Sequence, residues 1–129
     1  MVERVLYDTD LIISAYFTDQ STHFKAKQVF SHSNFTQEFI LNITLQETAT
    51  TVSKKFSQND AKNIVKDIKL TDVVVVFLSM DDENMVWREF YKNTKNGTSF
   101  VDCANLVMAK KLDCKIASFD KFYPKSILV

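Results

Sequence analysis

The chain has 129 residues, the usual size of one domain, and its 46% apolar content is enough to build a buried core. The 16 acidic residues balance the 16 basic ones, so the net charge identifies no partner, and this composition is unlike that of a disordered protein. One Gly and one Pro exclude the glycine-rich loops that bind phosphate in P-loop and dinucleotide-binding proteins. We therefore expect one globular domain over residues 1–129.

Apolar runs and cysteine usage bear on the cellular location. The longest apolar run, residues 73–78, is far shorter than the roughly 20 residues of a membrane span, and the N-terminus MVERVLYD lacks the apolar region of a signal peptide. Without a secretory signal, Cys103 and Cys114 are expected to be reduced thiols. Neither they nor the two His residues have the spacing of a zinc site. We expect a cytoplasmic protein with no membrane partner and no structural zinc.

Hydrophobic periodicity predicts alternating strands and helices. In chain order, these are a strand at 2–7, a short helix to about 17, a helix at 22–31, a strand at 39–41, helices at 44–56 and 57–68, a strand at 72–79, helices at 81–91 and 100–112, and strands at 115–118 and 126–129. The apolar β-branched run at 73–78 is typical of a strand covered on both faces in the middle of a parallel sheet. The alternation predicts an α/β fold, a three-layer α/β/α sandwich with a mostly parallel sheet.

Acidic residues recur where this fold would bring its strands to one edge. Asp8 comes immediately after one predicted strand and Asp120 two residues after another, and open α/β sheets bind ligands at the carboxyl ends of their strands. Glu47 is expected in the first turn of the helix that follows the second strand. That helix starts at the same edge of the sheet, which places Glu47 there too. Asp102 lies at the start of a helix that precedes a strand and runs antiparallel to it. The start of this helix, and therefore Asp102, lies at the carboxyl edge of the sheet as well. Four carboxylates are therefore expected to converge, with Asp10 close by.

Such a cluster is self-repelling unless a cation neutralises it, because neighbouring like charges raise one another's pKa. Oxygen ligands without His or Cys favour Mg²⁺ or Mn²⁺ over zinc. One bound metal can generate an attacking hydroxide, and a second, roughly 4 Å away, can stabilise the leaving oxygen of a phosphodiester. The pattern predicts a metal-dependent phosphodiesterase.

Charge distribution gives weaker support for a nucleic-acid substrate. Setting aside the five acids of the predicted site leaves 11 acidic against 16 basic residues. Lysines near the site would contact phosphates and make binding depend on salt. Lysines on helices are, however, usually just the solvated face. The candidates are Lys54, Lys55, Lys110, Lys111, Lys121 and Lys125.

Each acid also has a structural interpretation. Thr44-x-x-Glu47 and Ser99-x-x-Asp102 both fit the capping box, in which the acid bonds back to the N–H of the cap residue. Asp10 could cap its own helix. The functional interpretation rests on the shared edge, and on Asp8 and Asp120, which no capping box explains.

The residues also resemble a known family, the PIN domains, and in particular stand-alone VapC-type toxins of toxin–antitoxin pairs. VLYDTDLIISAYF is similar to the family's opening strand and helix, and LQETATTV to its Glu-bearing helix. SFVDCANLVMAKKLDCKIASFDKFY resembles its third acid on a helix, followed by a strand that ends in Ser or Thr, any residue, and Asp. Asp10 stands where many members have Asn, and Ser118 where Thr is more usual.

The resemblance implies a Mg²⁺- or Mn²⁺-dependent endoribonuclease with Asp8, Glu47, Asp102 and Asp120 as its catalytic, metal-holding quartet. It implies that Ser118 supports the site by hydrogen bonding, that the protein forms a homodimer, and that an antitoxin silences it.

Other interpretations stay open at this level. An RNA-processing PIN nuclease that is not a toxin, and a non-catalytic PIN interaction module, fit the same residues. A response-regulator receiver domain would also place acids after its first strand. However, no phosphoacceptor Asp lies in the region of residues 50–58, and Ser79 rather than Asp ends the apolar strand.

Overall fold

The computed structural model describes residues 4–31 and 34–129. These residues form four strands and six α-helices, followed by a short 3₁₀ turn at Lys125–Ile127. In chain order they are β1 (Arg4–Tyr7), α1 (Thr9–Tyr16), α2 (His23–Ser31), β2 (Gln37–Leu41), α3 (Asn42–Lys55), α4 (Gln58–Lys69), β3 (Val74–Val76), α5 (Met80–Lys92), α6 (Phe100–Lys111) and β4 (Lys115–Ala117).

The four strands form one sheet in the order β3-β2-β1-β4, and every pairing between these described strands is parallel. Leu6 of β1 lies between Phe39 of β2 and Ile116 of β4. Strands β2 and β3 are therefore added in sequence on one side of β1, and β4 pairs with the other side of β1. The predicted parallel sheet is confirmed.

Side chains of β1 alternate between two cores, as the pleat of a strand requires. Val5 and Tyr7 pack in a cluster with α1, α2, α3 and α4, whereas Leu6 packs in a second cluster with α5 and α6. Val5 and Leu6 are both completely buried. Helices thus cover both faces of the sheet, which confirms the three-layer α/β/α sandwich.

The apolar run at 73–78 does not occupy the predicted place. It was expected in the middle of the sheet as a strand over residues 72–79, but β3 is a short strand at the edge, paired with β2 alone. Val74 is 52% exposed and Phe77 is 68% exposed. β-Branched residues favour a pleated strand wherever it lies, so composition could not distinguish an edge position from a central one.

The prediction of a last strand at 126–129 is also wrong. Residues Lys125–Ile127 form a 3₁₀ turn after Pro124, and Leu128 makes only an isolated parallel bridge with Ile116. The Val129 N–H donates to the Ile116 carbonyl oxygen at 3.0 Å, and this contact with β4 is a single bridge rather than a strand pairing.

The first strand, the cysteines and the possibility of a membrane span can each be compared with the structure. The predicted strand at 2–7 is present over its described part, whereas residues 2 and 3 lie outside the described residues. Cys103 and Cys114 are both buried free thiols. Among the described residues, no helix is both long enough and apolar enough to cross a lipid bilayer.

Candidate metal centre

The sheet order fixes where a ligand site can form. Successive strands progress from β1 toward β3, but β4 lies on the opposite side of β1, so the connections diverge between β1 and β4. Parallel sheets open a crevice at such a switch point, at the carboxyl ends of the strands. The Asp8 N–H donates to the carbonyl oxygen of Ala117 at 3.1 Å, so the ends of these two strands are held together.

Three carboxylates meet at this point. One oxygen from each of Asp8, Asp102 and Asp120 lies within 4.8 Å of the other two. Asp8 comes directly after β1, Asp102 from the first turn of α6, and Asp120 from the loop after β4. Of the four acids predicted to share this edge, the structure therefore brings these three into one cluster.

Asp8 is held more firmly than an exposed acid would be. Its side chain is 5% exposed. It accepts hydrogen bonds from the Thr9 N–H at 2.9 Å, the Ser118 hydroxyl at 2.9 Å, the Asn105 amide at 3.2 Å and the Tyr123 hydroxyl at 3.2 Å. These four donors orient both carboxylate oxygens before any ligand arrives.

The electrostatics of the cluster favour a cation. Burial, followed by repulsion from Asp10, raises the pKa of Asp8 to about 7. Burial and then the charge of Asp120 raise the pKa of Asp102, and burial raises the pKa of Asp10. A divalent ion would offset these penalties. Because the donors are carboxylate oxygens, the residues present fit Mg²⁺ or Mn²⁺ better than zinc.

Glu47 lies beside the cluster rather than in it. It lines the same cleft, and its carboxylate accepts a 2.6 Å hydrogen bond from the Thr9 hydroxyl. The capping-box interpretation of Glu47 is wrong, because α3 begins at Asn42 with Leu41 as its N-cap. Glu47 is therefore in the second turn, not the first, and Thr44 directs its hydroxyl to Asn105 instead.

Ser118 connects three parts of the site. Its hydroxyl lies 2.9 Å from Asp8 and 3.2 Å from Asp10, and it accepts the Asp120 N–H at 3.0 Å. Asp10 also accepts the Phe119 N–H at 3.1 Å, so it binds the loop that carries Asp120. Asp10 thus lies next to the three clustered acids and holds the loop that carries Asp120 through hydrogen bonds with Ser118 and Phe119.

Two acids of the cluster, Asp8 and Asp102, also cap helices. The predicted box is present in α6, where Asp102 and Ser99 exchange hydrogen bonds of 3.0 and 3.4 Å. Asp8, not Asp10, caps α1. A carboxylate has two oxygens, so a helix cap fixes the residue and still leaves lone pairs for an ion. The structural and functional interpretations of these residues are therefore compatible.

Sequence reasoning missed two residues of this site. Asn105 is completely buried on α6, and its amide donates to Asp8 and to the Tyr123 hydroxyl, each at 3.2 Å. The Tyr123 hydroxyl accepts this hydrogen bond and in turn donates to Asp8. The available signal was an amide three residues after Asp102, in an otherwise apolar helix, since positions three apart share a helix face.

The acids open into a cleft of about 550 Å³. Of the six lysines predicted to surround the site, Lys55 lines this cleft. The expectation is wrong for Lys111, which pairs with Asp82 at 2.5 Å. Lys110 and Lys111 belong to the last turn of α6, about 14 Å along the helix axis from Asp102. Helix direction separates them from the acids.

The fold and the site define a three-layer α/β protein with a carboxylate cluster at the switch point of its sheet. The PIN domain family profile matches residues 5–125. The chain therefore belongs to the PIN domain family, a family of nucleases. This membership excludes the receiver-domain interpretation.

Solved structures show the same fold. VapC20 of Mycobacterium tuberculosis, described as a sarcin-ricin loop cleaving toxin, gives a TM-score of 0.86 at 19% identity, covering 97% of this chain and 96% of that one. A chain of a toxin–antitoxin complex from Klebsiella pneumoniae gives 0.65 at 19% identity, with 97% and 95% covered. A chain of Rickettsia felis VapBC2, bound to promoter DNA, gives 0.62 at 14% identity, with 91% and 87% covered. A search of curated proteins finds no match.

Proposed function

We propose that this chain is a Mg²⁺- or Mn²⁺-dependent endoribonuclease that hydrolyses RNA phosphodiester bonds, with residues 1–129 acting as one nuclease domain. The observation that carries the proposal is the meeting of Asp8, Asp102 and Asp120 within 4.8 Å at the switch point of the sheet. Burial of Asp8 beside other acids is costly, and a bound cation would offset that cost.

The residues divide the work by position. Asp8, Asp102 and Asp120 would bind the ion directly, and Glu47 and Asp10 line the same cleft, where they can hold its water ligands. When bound, the metal supplies a Lewis acid and lowers the pKa of an attacking water. Asn105, Tyr123 and Ser118 would keep Asp8 oriented by hydrogen bonding.

Those supporting contacts matter because partners that orient metal ligands typically contribute about 10–100-fold to metal affinity or activity. Tyr123 donates to Asp8 from a fully enclosed position, 2% exposed, so water cannot replace its hydroxyl. Ser118 joins Asp8 to the loop that carries Asp120. The proposed centre is therefore pre-organised by groups that do not themselves need to touch the substrate.

A cleavage assay tests the activity. Purified protein should cut RNA with Mg²⁺ or Mn²⁺ and should stop when EDTA is added in excess, with activity returning after the metal is restored. Mapping the ends of cleaved total RNA would identify the target sequence. Cleavage that continues unchanged in EDTA would contradict metal dependence, and a metal-loaded, folded protein that cuts no RNA would favour the non-catalytic interaction module.

We propose the toxin of a type II toxin–antitoxin pair as the biological role, with an antitoxin protein as partner and the cytoplasm as location. The support is the fold shared with the toxin VapC20 and with a chain of a toxin–antitoxin complex. Expression should arrest growth, and a co-expressed antitoxin should relieve the arrest. Healthy growth at high levels of active protein would instead favour an RNA-processing nuclease.

We also propose a homodimer, formed through α5. Met80, Trp87 and Tyr91 lie on one outward stripe of this helix and are 80%, 43% and 81% exposed. The opposite side of α5 packs into the core through Val86. Large apolar side chains exposed on one side of a helix in this way mark an interaction surface.

Charge placement favours a second copy as the occupant. The first turn of α5 is acidic, with exposed Asp81 and Glu83, whereas exposed Arg88 and Lys92 lie toward its other end. Two copies related by a two-fold axis perpendicular to α5 would pack α5 against α5 antiparallel, with the same patch used on both copies. That arrangement sets the acidic end of each helix beside the basic end of the other.

The paired substitution Trp87→Glu, Tyr91→Glu should convert the dimer to a monomer, because it buries two new charges on each side of the interface. Light scattering after gel filtration should show the mass halved at equal protein concentration. Leu70→Glu is the matched control, since Leu70 is 77% exposed on a different surface. A dimer that survives the paired substitution would exclude α5 as the interface.

A further inference from the structure

Two recesses meet at the acid cluster. The main cleft and a smaller recess of about 70 Å³ share Asp102 and Asp120 in their walls. Apart from acids, the cleft is lined mainly by α1, α3 and the segment before α2, together with Ser99 and Phe119. The recess is lined by residues 95–98 and Phe122. The acids therefore form a wall that the two openings, the cleft and the recess, have in common.

Each opening contains one lysine. Lys55 lines the cleft, where its ammonium donates to the Gln20 side-chain oxygen at 3.0 Å and lies 5.7 Å from the centre of the Phe56 ring. Among the described residues, the one ion pair is between Lys111 and Asp82. The Lys55 charge is thus positioned at the cleft by neutral groups and stays available to an anion.

Lys95 has the corresponding place in the smaller recess. It begins a turn in which the Thr98 N–H and hydroxyl both donate to its carbonyl oxygen, at 3.3 and 2.8 Å. Gly97 has a φ of +87°, in the left-handed region that glycine adopts without strain. This turn fixes the backbone of Lys95 beside Asp102 and Asp120.

Each opening also contains one aromatic ring. Phe119 lines the cleft and packs partly against the core under α1 to α4, whereas Phe122 lines the recess and packs partly against the core under α5 and α6. Aromatic side chains beside basic ones are the elements with which proteins bind single-stranded RNA, because bases stack on rings while phosphates contact cations.

We propose that single-stranded RNA crosses the acid cluster from one opening to the other, with Lys55 and Lys95 binding phosphates on opposite sides of the scissile bond. Phe119 and Phe122 stack bases on their respective sides. The inference rests on the proposed ribonuclease function and names the substrate path through that site. A cation on each side attracts the strand toward acids that would otherwise repel its phosphates.

Binding can be measured apart from cleavage in an Asp8→Asn background, which carries one less negative charge at the site. Fluorescence anisotropy of a short labelled RNA should show that Lys55→Gln and Lys95→Gln each weaken binding and each lower the slope of log affinity against log salt by about 0.7. Lys62→Gln and Lys69→Gln are matched controls, because they remove the same charge from α4, outside both openings.

Neutral methylphosphonate linkages then test the geometry. Lys55→Gln should cause no further loss when the linkage on one side of the mapped cut is neutral, and Lys95→Gln should do the same on the other side. Coupling of both lysines to one side, or no effect beyond that of the controls, would overturn the path. Cleavage with no lysine effect contradicts the path alone, lysine-dependent binding without cleavage contradicts the ribonuclease alone, and neither binding nor cleavage contradicts both.

Discussion

Asp8→Asn is expected to reduce RNA cleavage by at least about 100-fold while leaving the protein folded. Groups that merely orient a metal ligand already contribute about 10–100-fold, and Asp8 is placed to be a ligand itself. The substitution keeps the shape of the side chain and one acceptor oxygen for the surrounding donors. It removes the negative charge, which is what a divalent ion requires.

The assay should compare initial cleavage rates at saturating Mg²⁺ together with the circular dichroism spectrum of each variant. Asp72→Asn is the matched control, because Asp72 is exposed between α4 and β3, away from the cleft. It should retain full activity. Undiminished cleavage by a clean Asp8→Asn, Asp102→Asn double variant would show that the site is wrongly assigned.

The metal-free protein is expected to lose stability as the pH rises from about 4 toward 7. Asp8 has a folded-state pKa of about 7 against an ordinary value of 3.8, so the folded state binds more protons than the unfolded state within this window. The stabilisation is therefore complete below the unfolded pKa and is lost as the pH rises through the folded one. The loss from Asp8 alone amounts to about 4 kcal/mol in the free energy of unfolding.

Metal should reverse this loss, because it binds the deprotonated carboxylates of the folded state alone. Urea unfolding in EDTA should give a falling free energy between pH 4 and 7, and Mg²⁺ should raise the melting temperature more at pH 8 than at pH 5.5. Asp8→Asn should flatten the pH dependence and weaken the response to metal. Equal pH profiles for wild type and Asp8→Asn would contradict the burial and repulsion of this carboxyl group.

The sequence predicted which acids lie at this edge of the sheet better than it predicted the contacts between them and their neighbours. Asp8 and Asp120 follow strands that proved to be neighbours, and Asp102 begins the helix that leads into β4. Glu47 was placed one helical turn too early, because Leu41 caps α3 without a side-chain bond and gives no local signal. Asn105 was missed because its contact with Asp8 joins residues 97 positions apart.

Periodicity and residue type determined most of the succession of strands and helices, the parallel sheet and the meeting of Asp8, Asp102 and Asp120 at its edge, because these follow from local backbone preference and from where successive elements must begin. Tertiary structure alone decided the rest. It put the apolar β3 at the edge, paired Lys111 with Asp82 of α5, and buried Asp8 among four donors. Those outcomes depend on how distant segments pack, and the pKa of Asp8 depends on that packing because desolvation and neighbouring charge are properties of the assembled site.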